Sequence, residues 1–170
     1  TQGFPELVGN TDREFIVKYL SEGIVDNVVY KDLPTAYKIR DVGLLKQLAS
    51  IVIGQPGQLL DIQSLSRDLN SSRQTISSYL SYLEDSFLVI KLYNYSKNLI
   101  KRERKLKKYY SRVVSPRLVF DSNELTQSHV FEAFLAAKLN AEFFWRDDRK
   151  NEVDFILIND KQTIPIEAKY

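Results

Sequence analysis

The 170 residues are 44% apolar and 27% charged with a net charge of +2, a profile of a soluble globular chain of one medium or two small domains, in which only local charge clusters can argue for a partner. Cysteine is absent and His129 is the single histidine; this excludes disulfides and thiolate zinc sites, argues against a Ser-His-Asp triad, and leaves carboxylates, hence Mg2+ or Mn2+, as the chemistry for any metal. The lack of cysteine fits a cytoplasmic location, no apolar run reaches membrane-spanning length, and the pattern G-x-x-x-x-G-K-[ST] does not occur.

Residues 1–34 are expected to form a helical connector. Pro5 suits a first helical turn. Phe15, Ile16, Tyr19 and Leu20, continued by Val25, Val28 and Val29, make an apolar stripe, and Pro34 is read as its end. Methionine is missing even at position 1, so the chain reads as a fragment or a processed product.

Residues 35–115 have the order of a winged helix-turn-helix. A helix near 41–53 turns Leu44, Leu45, Leu48, Ile51 and Val52 inward. The segment GQPGQ breaks it, and Asp61 caps a short helix over 62–69. After the turn NSS, the helix RQTISSYLSYLED carries Ile76, Tyr79, Leu80 and Leu83 on one face. FLVIKLYNY and KLKKYYSRV then read as the two strands of a wing. The exposed positions of the longer helix are Arg73, Gln74, Thr75, Ser77 and Ser78. Arg and Gln can read base edges, and Ser and Thr can contact phosphate. Between the wing strands, Lys97, Lys101, Arg102, Arg104, Lys105, Lys107 and Lys108 are opposed only by Glu103. Such a wing could follow a DNA backbone with salt-sensitive affinity. The competing readings are a solvated basic loop and a protein-docking winged helix.

In residues 116–170, a helix over 125–140 is followed by the strands EFFWR, EVDFILI and QTIPIEAKY. His129 reads as a structural or surface residue of that helix, and Trp145, Phe143 and Phe144 as strand core. Strict alternation puts Val153, Phe155 and Leu157 on one face and Glu152, Asp154, Ile156 and Ile158 on the other. In the last strand Glu167 and Lys169 share a face, so Asp154, Glu167 and Lys169 can meet. They could hold a divalent cation, or they could be a solvated face with a cross-strand ion pair. Spacing alone favours the solvated face.

A helical Glu132, then EVDF, then IEAK resembles the PD-(D/E)xK nuclease superfamily. The resemblance makes Asp154 the motif's aspartate, Glu167 and Lys169 its (D/E)xK pair, and Glu132 its helical acid. Asp154 and Glu167 would bind Mg2+ or Mn2+, and Lys169 would stabilise developing charge. GFPELV, YLSYLEDSFLV, NLIKRERKLKKYY and EVDF…PIEAK, in that order, resemble the C-terminal region of a family of archaeal and bacterial AAA+-type ATPases. The resemblance implies a winged helix followed by a PD-(D/E)xK-like domain, with ATP bound only in an ATPase module upstream. Where family members carry an Asp and a Gly-Leu after the second wing strand, this chain has KKYYSRVVSPRLVF. It ends at Tyr170, where the nuclease-like core would continue, so that unit is expected to be partial.

The expected fold is therefore α+β: a helical connector (1–34), a winged helix-turn-helix (35–115) and a partial restriction-endonuclease-like α/β unit (116–170). The expected function is a nucleic-acid-interacting ATPase region, in its strong form a Mg2+-dependent nuclease acting on DNA. The alternative is a catalytically silent regulatory or protein-docking module. Expected partners are DNA and the upstream ATPase; self-association is left open and no membrane is expected.

Overall fold

The computed structural model describes residues 4–113, 124–160 and 162–169. The fold is α+β. Pro5–Leu7 form a single 3-10 turn, and α1 (Arg13–Lys18) follows, capped by Asp12, whose carboxylate accepts from the Phe15 N–H at 3.1 Å. The chain then winds as a π-helix over Tyr19–Asp26 and Val28–Asp32. Its buried residues explain the winding. Ile16, Leu20, Val25, Val29 and Leu33 recur every four or five positions, a spacing that i→i+5 bonding keeps on one face better than i→i+4 bonding does. Phe15, expected in the stripe, is instead 47% exposed.

Pro34 does not end this segment. Leu33–Ala36 form α2, with the proline in its first turn, where a missing N–H is tolerated. The helices α3 (Val42–Gly54), α4 (Ile62–Asp68) and α5 (Arg73–Asp85) occupy the expected positions. Their N-termini are capped by Asp41, Asp61 and Ser72, which accept from Leu44, Gln63 and Thr75 N–H groups at 2.8–3.0 Å. Leu45, Leu48, Ile76 and Leu83 are fully buried with Leu20, Val29 and Val89 in one core. Each such side chain stabilises the fold by about 1.5–3 kcal/mol.

Strand β1 (Gln58–Leu60) begins on the last residue of GQPGQ and was not foreseen. The other strands are β2 (Val89–Asn94), β3 (Lys107–Ser111), β4 (Phe143–Arg146), β5 (Glu152–Asn159) and β6 (Gln162–Ile166). Between β2 and β3 the basic segment folds into a short helix, α6 (Leu99–Arg104), rather than a loop. The last helix, α7, spans Glu124–Leu139. The strands form one sheet in the order β1-β3-β2-β4-β5-β6. Among the described residues, only β2 and β4 pair in parallel, through Tyr93↔Phe143 and Asn94↔Phe144. That pairing fuses the three strands of the first half to the three of the second.

Buried Asn94 reinforces this seam. Its side chain donates to the Arg146 carbonyl at 2.9 Å and accepts from the Arg146 N–H at 3.3 Å. A second core lies under α7, where Ala133 and Ala136 are buried with Leu92, Tyr110, Phe144 and Phe155. The alanines let the helix approach the sheet closely. Pro165 lies in β6, the edge strand, where a missing ladder donor is tolerated.

Strict alternation fails in β5. Val153 opposes Trp145 and Ile156 opposes Phe143, so two residues of β5, Asp154 and Phe155, face the single intervening residue Phe144. This is a β-bulge. Val153 and Ile156 share one face, and Asp154 and Phe155 both fall on the other. The expected grouping of Asp154 with Ile156, opposite Phe155, is corrected accordingly.

Candidate functional site

Strand β3 places Lys108 and Tyr110 on the face covered by α7, which presents Glu132. The bulge keeps Asp154 on that face beside Glu152. Lys108 is 5% exposed. Its Nζ lies 2.6 Å from Glu152 Oε1, 3.4 Å from Glu132 Oε2 and 3.8 Å from Asp154 Oδ1. The Tyr110 hydroxyl donates to Glu132 Oε2 at 2.9 Å, and Arg146 Nη1 reaches Glu152 Oε2 at 3.3 Å. Burial pulls the Lys108 pKa down, but Glu132, Glu152 and Asp154 outweigh it and hold the ammonium above its ordinary range. Burial, then the Glu132 carboxylate, pushes the Tyr110 phenol well up, so it stays a donor. His129, half-buried, joins Lys108, Glu132, Arg146, Glu152 and Asp154 in lining a cleft of about 410 Å3.

Gly57 forms one wall. Its φ is +81°, and a Cβ there would come within 3.0 Å of Tyr110 Cε1 and 3.4 Å of Glu132 Oε2. Glycine is thus required both by its backbone and by the approach of Tyr110.

Of the four residues expected in this site, Glu132 and Asp154 are brought together around Lys108. Glu167 and Lys169 lie beyond the end of β6, and both are exposed. Asp154 Oδ2 accepts the Ala168 N–H at 2.9 Å, which lays this last segment alongside β5. Glu167 is close enough to feel Asp154. Desolvation and then the Asp154 carboxylate raise its pKa, against a lowering by Lys169.

The carboxylates do not fit a divalent cation as they stand. Glu132 and Glu152 are both engaged by Lys108, with Tyr110 and Arg146 as further donors; Asp154 is shared between Lys108 and the Ala168 N–H. Among the described residues, no group of three or more acidic or histidine side chains is placed to hold a metal ion.

Sequence reasoning missed Lys108, Tyr110 and Glu152 as members of this cluster. A signal was present: alternation in KKYY places either Lys107 with Tyr109 or Lys108 with Tyr110 on the covered face.

A second polar cleft, of about 420 Å3, lies beside the N-terminal half of α5 and is lined by Lys38, Arg40, Ser71, Gln74, Thr75 and Ser78, among others. Asp41 also lines it, but its carboxylate caps α3. Lys38, Arg40, Arg73, Gln74 and Ser77 are exposed, whereas the Thr75 hydroxyl bonds Ser72 Oγ at 2.8 Å. The basic segment divides. Lys101 and Arg104 are exposed. The Arg102 guanidinium lies 5.2 Å from the Tyr93 ring centre and 5.5 Å from that of Phe143. Lys105 Nζ is 3.4 Å from Asn94 Oδ1, and Lys107 bonds the Glu103 carbonyl. Of the seven basic residues, Lys97, Lys101 and Arg104 are exposed, whereas Arg102, Lys105, Lys107 and Lys108 pack against the fold.

Fold and sites together define an α+β protein with one mixed sheet, a buried lysine–carboxylate cluster and a separate polar cleft. The chain belongs to a family described as a domain of unknown function (DUF8612), which matches residues 2–115. A second domain of unknown function (DUF4143) matches residues 123–170. The chain is similar to the uncharacterized protein MJ1544 of Methanocaldococcus jannaschii, at 30% identity over 99 residues, which are 55% of this chain and 22% of that protein. It is also similar to an uncharacterized protein of Haemophilus influenzae, at 32% identity over 98 residues, which are 55% of this chain and 24% of that protein. The matched stretch is thus less than a quarter of either relative. No solved structure matches the chain. Among the described residues, no helix is long and apolar enough to cross a membrane.

Proposed function

We propose that the chain is a nucleic-acid-interacting region of a larger P-loop ATPase, with residues 35–115 acting as a winged helix. The observation that carries this reading is the cleft beside α5. Lys38, Arg40, Gln74, Ser71 and Ser78 line it together. Two cations, an amide and hydroxyls around a helix N-terminus suit phosphate contact with base-edge readout from the helix. The order α3, α4, α5, β2, β3 is that of a winged helix, with α6 inserted in the wing. Support for the ATPase context comes from the second matched family, which is often found with AAA ATPase domains. The test is affinity for duplex and single-stranded DNA as a function of salt. Binding that weakens steeply with salt supports the reading; no binding, or a slope near zero, overturns it.

A second reading is favoured by the closeness of Asp154 and Glu167. In it, residues 116–170 are a PD-(D/E)xK-like unit. Asp154 and Glu167 would be its metal ligands, Glu132 a supporting acid and Lys169 an assisting cation in a Mg2+- or Mn2+-dependent nuclease. Metal-dependent cleavage of DNA that disappears in Asp154→Ala and Lys169→Ala would support it. Intact duplex, single-stranded and branched DNA after incubation with Mg2+ or Mn2+ would leave a catalytically silent docking or regulatory module.

A further inference from the structure

We propose that Lys108 is a tethered cation that fills the carboxylate cluster of Glu132, Glu152 and Asp154 and keeps divalent metal out of it. This inference bears on the nuclease reading through Asp154, a metal ligand in that reading and a partner of Lys108 here, and is independent of the nucleic-acid reading.

The argument begins with charge. Three carboxylates on one covered face repel one another and lose solvation, so they require a cation. The fold supplies one from another element. Lys108 Nζ is within 2.6–3.8 Å of an oxygen of all three, and its side chain is 6% exposed. The ammonium donates hydrogen bonds to Glu152 and Glu132 and pairs with Asp154 through charge alone. Arg146 adds a second positive charge on the far oxygen of Glu152. A hydrated divalent ion brought to the same place would meet the ammonium at close range, and like charges in a poorly solvated pocket repel strongly. The ammonium also holds the three carboxylates spread around a nitrogen at 2.6–3.8 Å. A Mg2+ or Mn2+ ion needs oxygens gathered at a shorter distance.

The two parts of the cluster come from different matched regions. Lys108 lies within residues 2–115, and all three acids lie within residues 123–170. The parallel pairing of β2 with β4 brings them together. The contact is therefore a latch between the regions as well as a plug in the cluster. A movement that separated β3 from β5 would expose three acids without a cation and open the cluster to metal. In the nuclease reading, this is an autoinhibitory contact.

The experiment is a Mn2+ titration of the full-length, nucleotide-free protein, read by electron paramagnetic resonance of free Mn2+. Wild type is expected to show no saturable site that depends on Asp154 up to Mn2+ concentrations on the order of 1 mM. Lys108→Ala is expected to gain one Mn2+ site, at least about tenfold tighter than any wild-type binding, and Asp154→Asn added to it should remove that site. An Asp154-dependent site already present in wild type overturns the proposal. So does a folded Lys108→Ala that gains no site. If Lys108→Ala does not fold, Lys108→Met, closer in length, carries the same expectation, and Lys108→Arg, which keeps the charge, should gain no site. DNA binding by the α5 cleft and DNA cleavage are read separately, so failure of either leaves the Mn2+ result interpretable.

Discussion

Lys108 Nζ lies 2.6 Å from Glu152 Oε1, although the two residues are 44 positions apart and sit on strands that do not pair with each other. Their contact, with Glu132 and Asp154 completing it, ties α7 and β5 to β3. Removing one member of a buried ion pair leaves the rest uncompensated, at a cost of about 3–5 kcal/mol. Lys108→Met should therefore destabilise the fold by that amount, measured by urea unfolding. Glu152→Gln should cost less, because Glu132 and Asp154 still face the ammonium and Glu152 is the more exposed partner. Equal losses would show that Lys108 does not serve all three acids.

The same contact sets a pH dependence. The Lys108 pKa is raised in the folded chain, so the folded state holds its proton more tightly than the unfolded state. Its contribution to stability is full below the unfolded pKa of about 10.4. It is lost as pH rises from there through the folded value. Wild type should lose its stability advantage over Lys108→Met across this alkaline window and keep it at neutral pH. Unfolding free energies of both proteins from neutral pH upward check this.

Gly57→Ala should destabilise by about 1–2 kcal/mol from backbone strain at φ +81° alone. The added methyl also meets Tyr110, which is buried and bonded to Glu132 and cannot swing away. A fall in Tm is expected. An unchanged Tm would mean that the β1 turn adjusts freely.

Asn94→Ala should cost about 1–3 kcal/mol, since it leaves the Arg146 N–H and carbonyl without their side-chain partner at a buried seam. Hydrogen exchange should quicken in β4 more than in β1, because β4 loses the side-chain part of its anchoring to β2.

For the α5 cleft, Lys38→Ala combined with Arg40→Ala should weaken DNA binding and reduce the salt slope by about 2, close to one unit for each lost phosphate contact. Arg102→Ala should instead lower stability with little effect on that slope, because its guanidinium is packed on Tyr93 and Phe143. Fluorescence anisotropy across a salt series, with urea unfolding beside it, separates the two outcomes.

Local rules carried much of the fold. Apolar periodicity and capping residues placed α3, α4 and α5, because helix bonds and caps involve neighbours within about four positions. β-branched and aromatic runs located β2, β3 and β5 for a similar reason. Strand β1 escaped, since three residues from the end of GQPGQ onward become a strand only by pairing with β3. The basic segment was legible as charge but not as placement. Whether Arg102 faces solvent or an aromatic ring depends on β2 and β4 lying side by side.

The sequence by itself determined the helix order, the strand segments and the set of acids in the second half, because these follow from local propensity and composition. Tertiary structure decided which charges meet. Parallel pairing of β2 with β4 joined the two halves, and a single bulge brought Phe155 onto the helix-covered face that Glu152 and Asp154 share. A lysine that read as part of a basic wing thereby became the buried partner of three acids, while Lys169, which the motif singled out, stayed in solvent. The physical reason is that burial and pairing of charge depend on residues far apart in the chain, and a one-residue shift in strand register reverses the face a side chain presents.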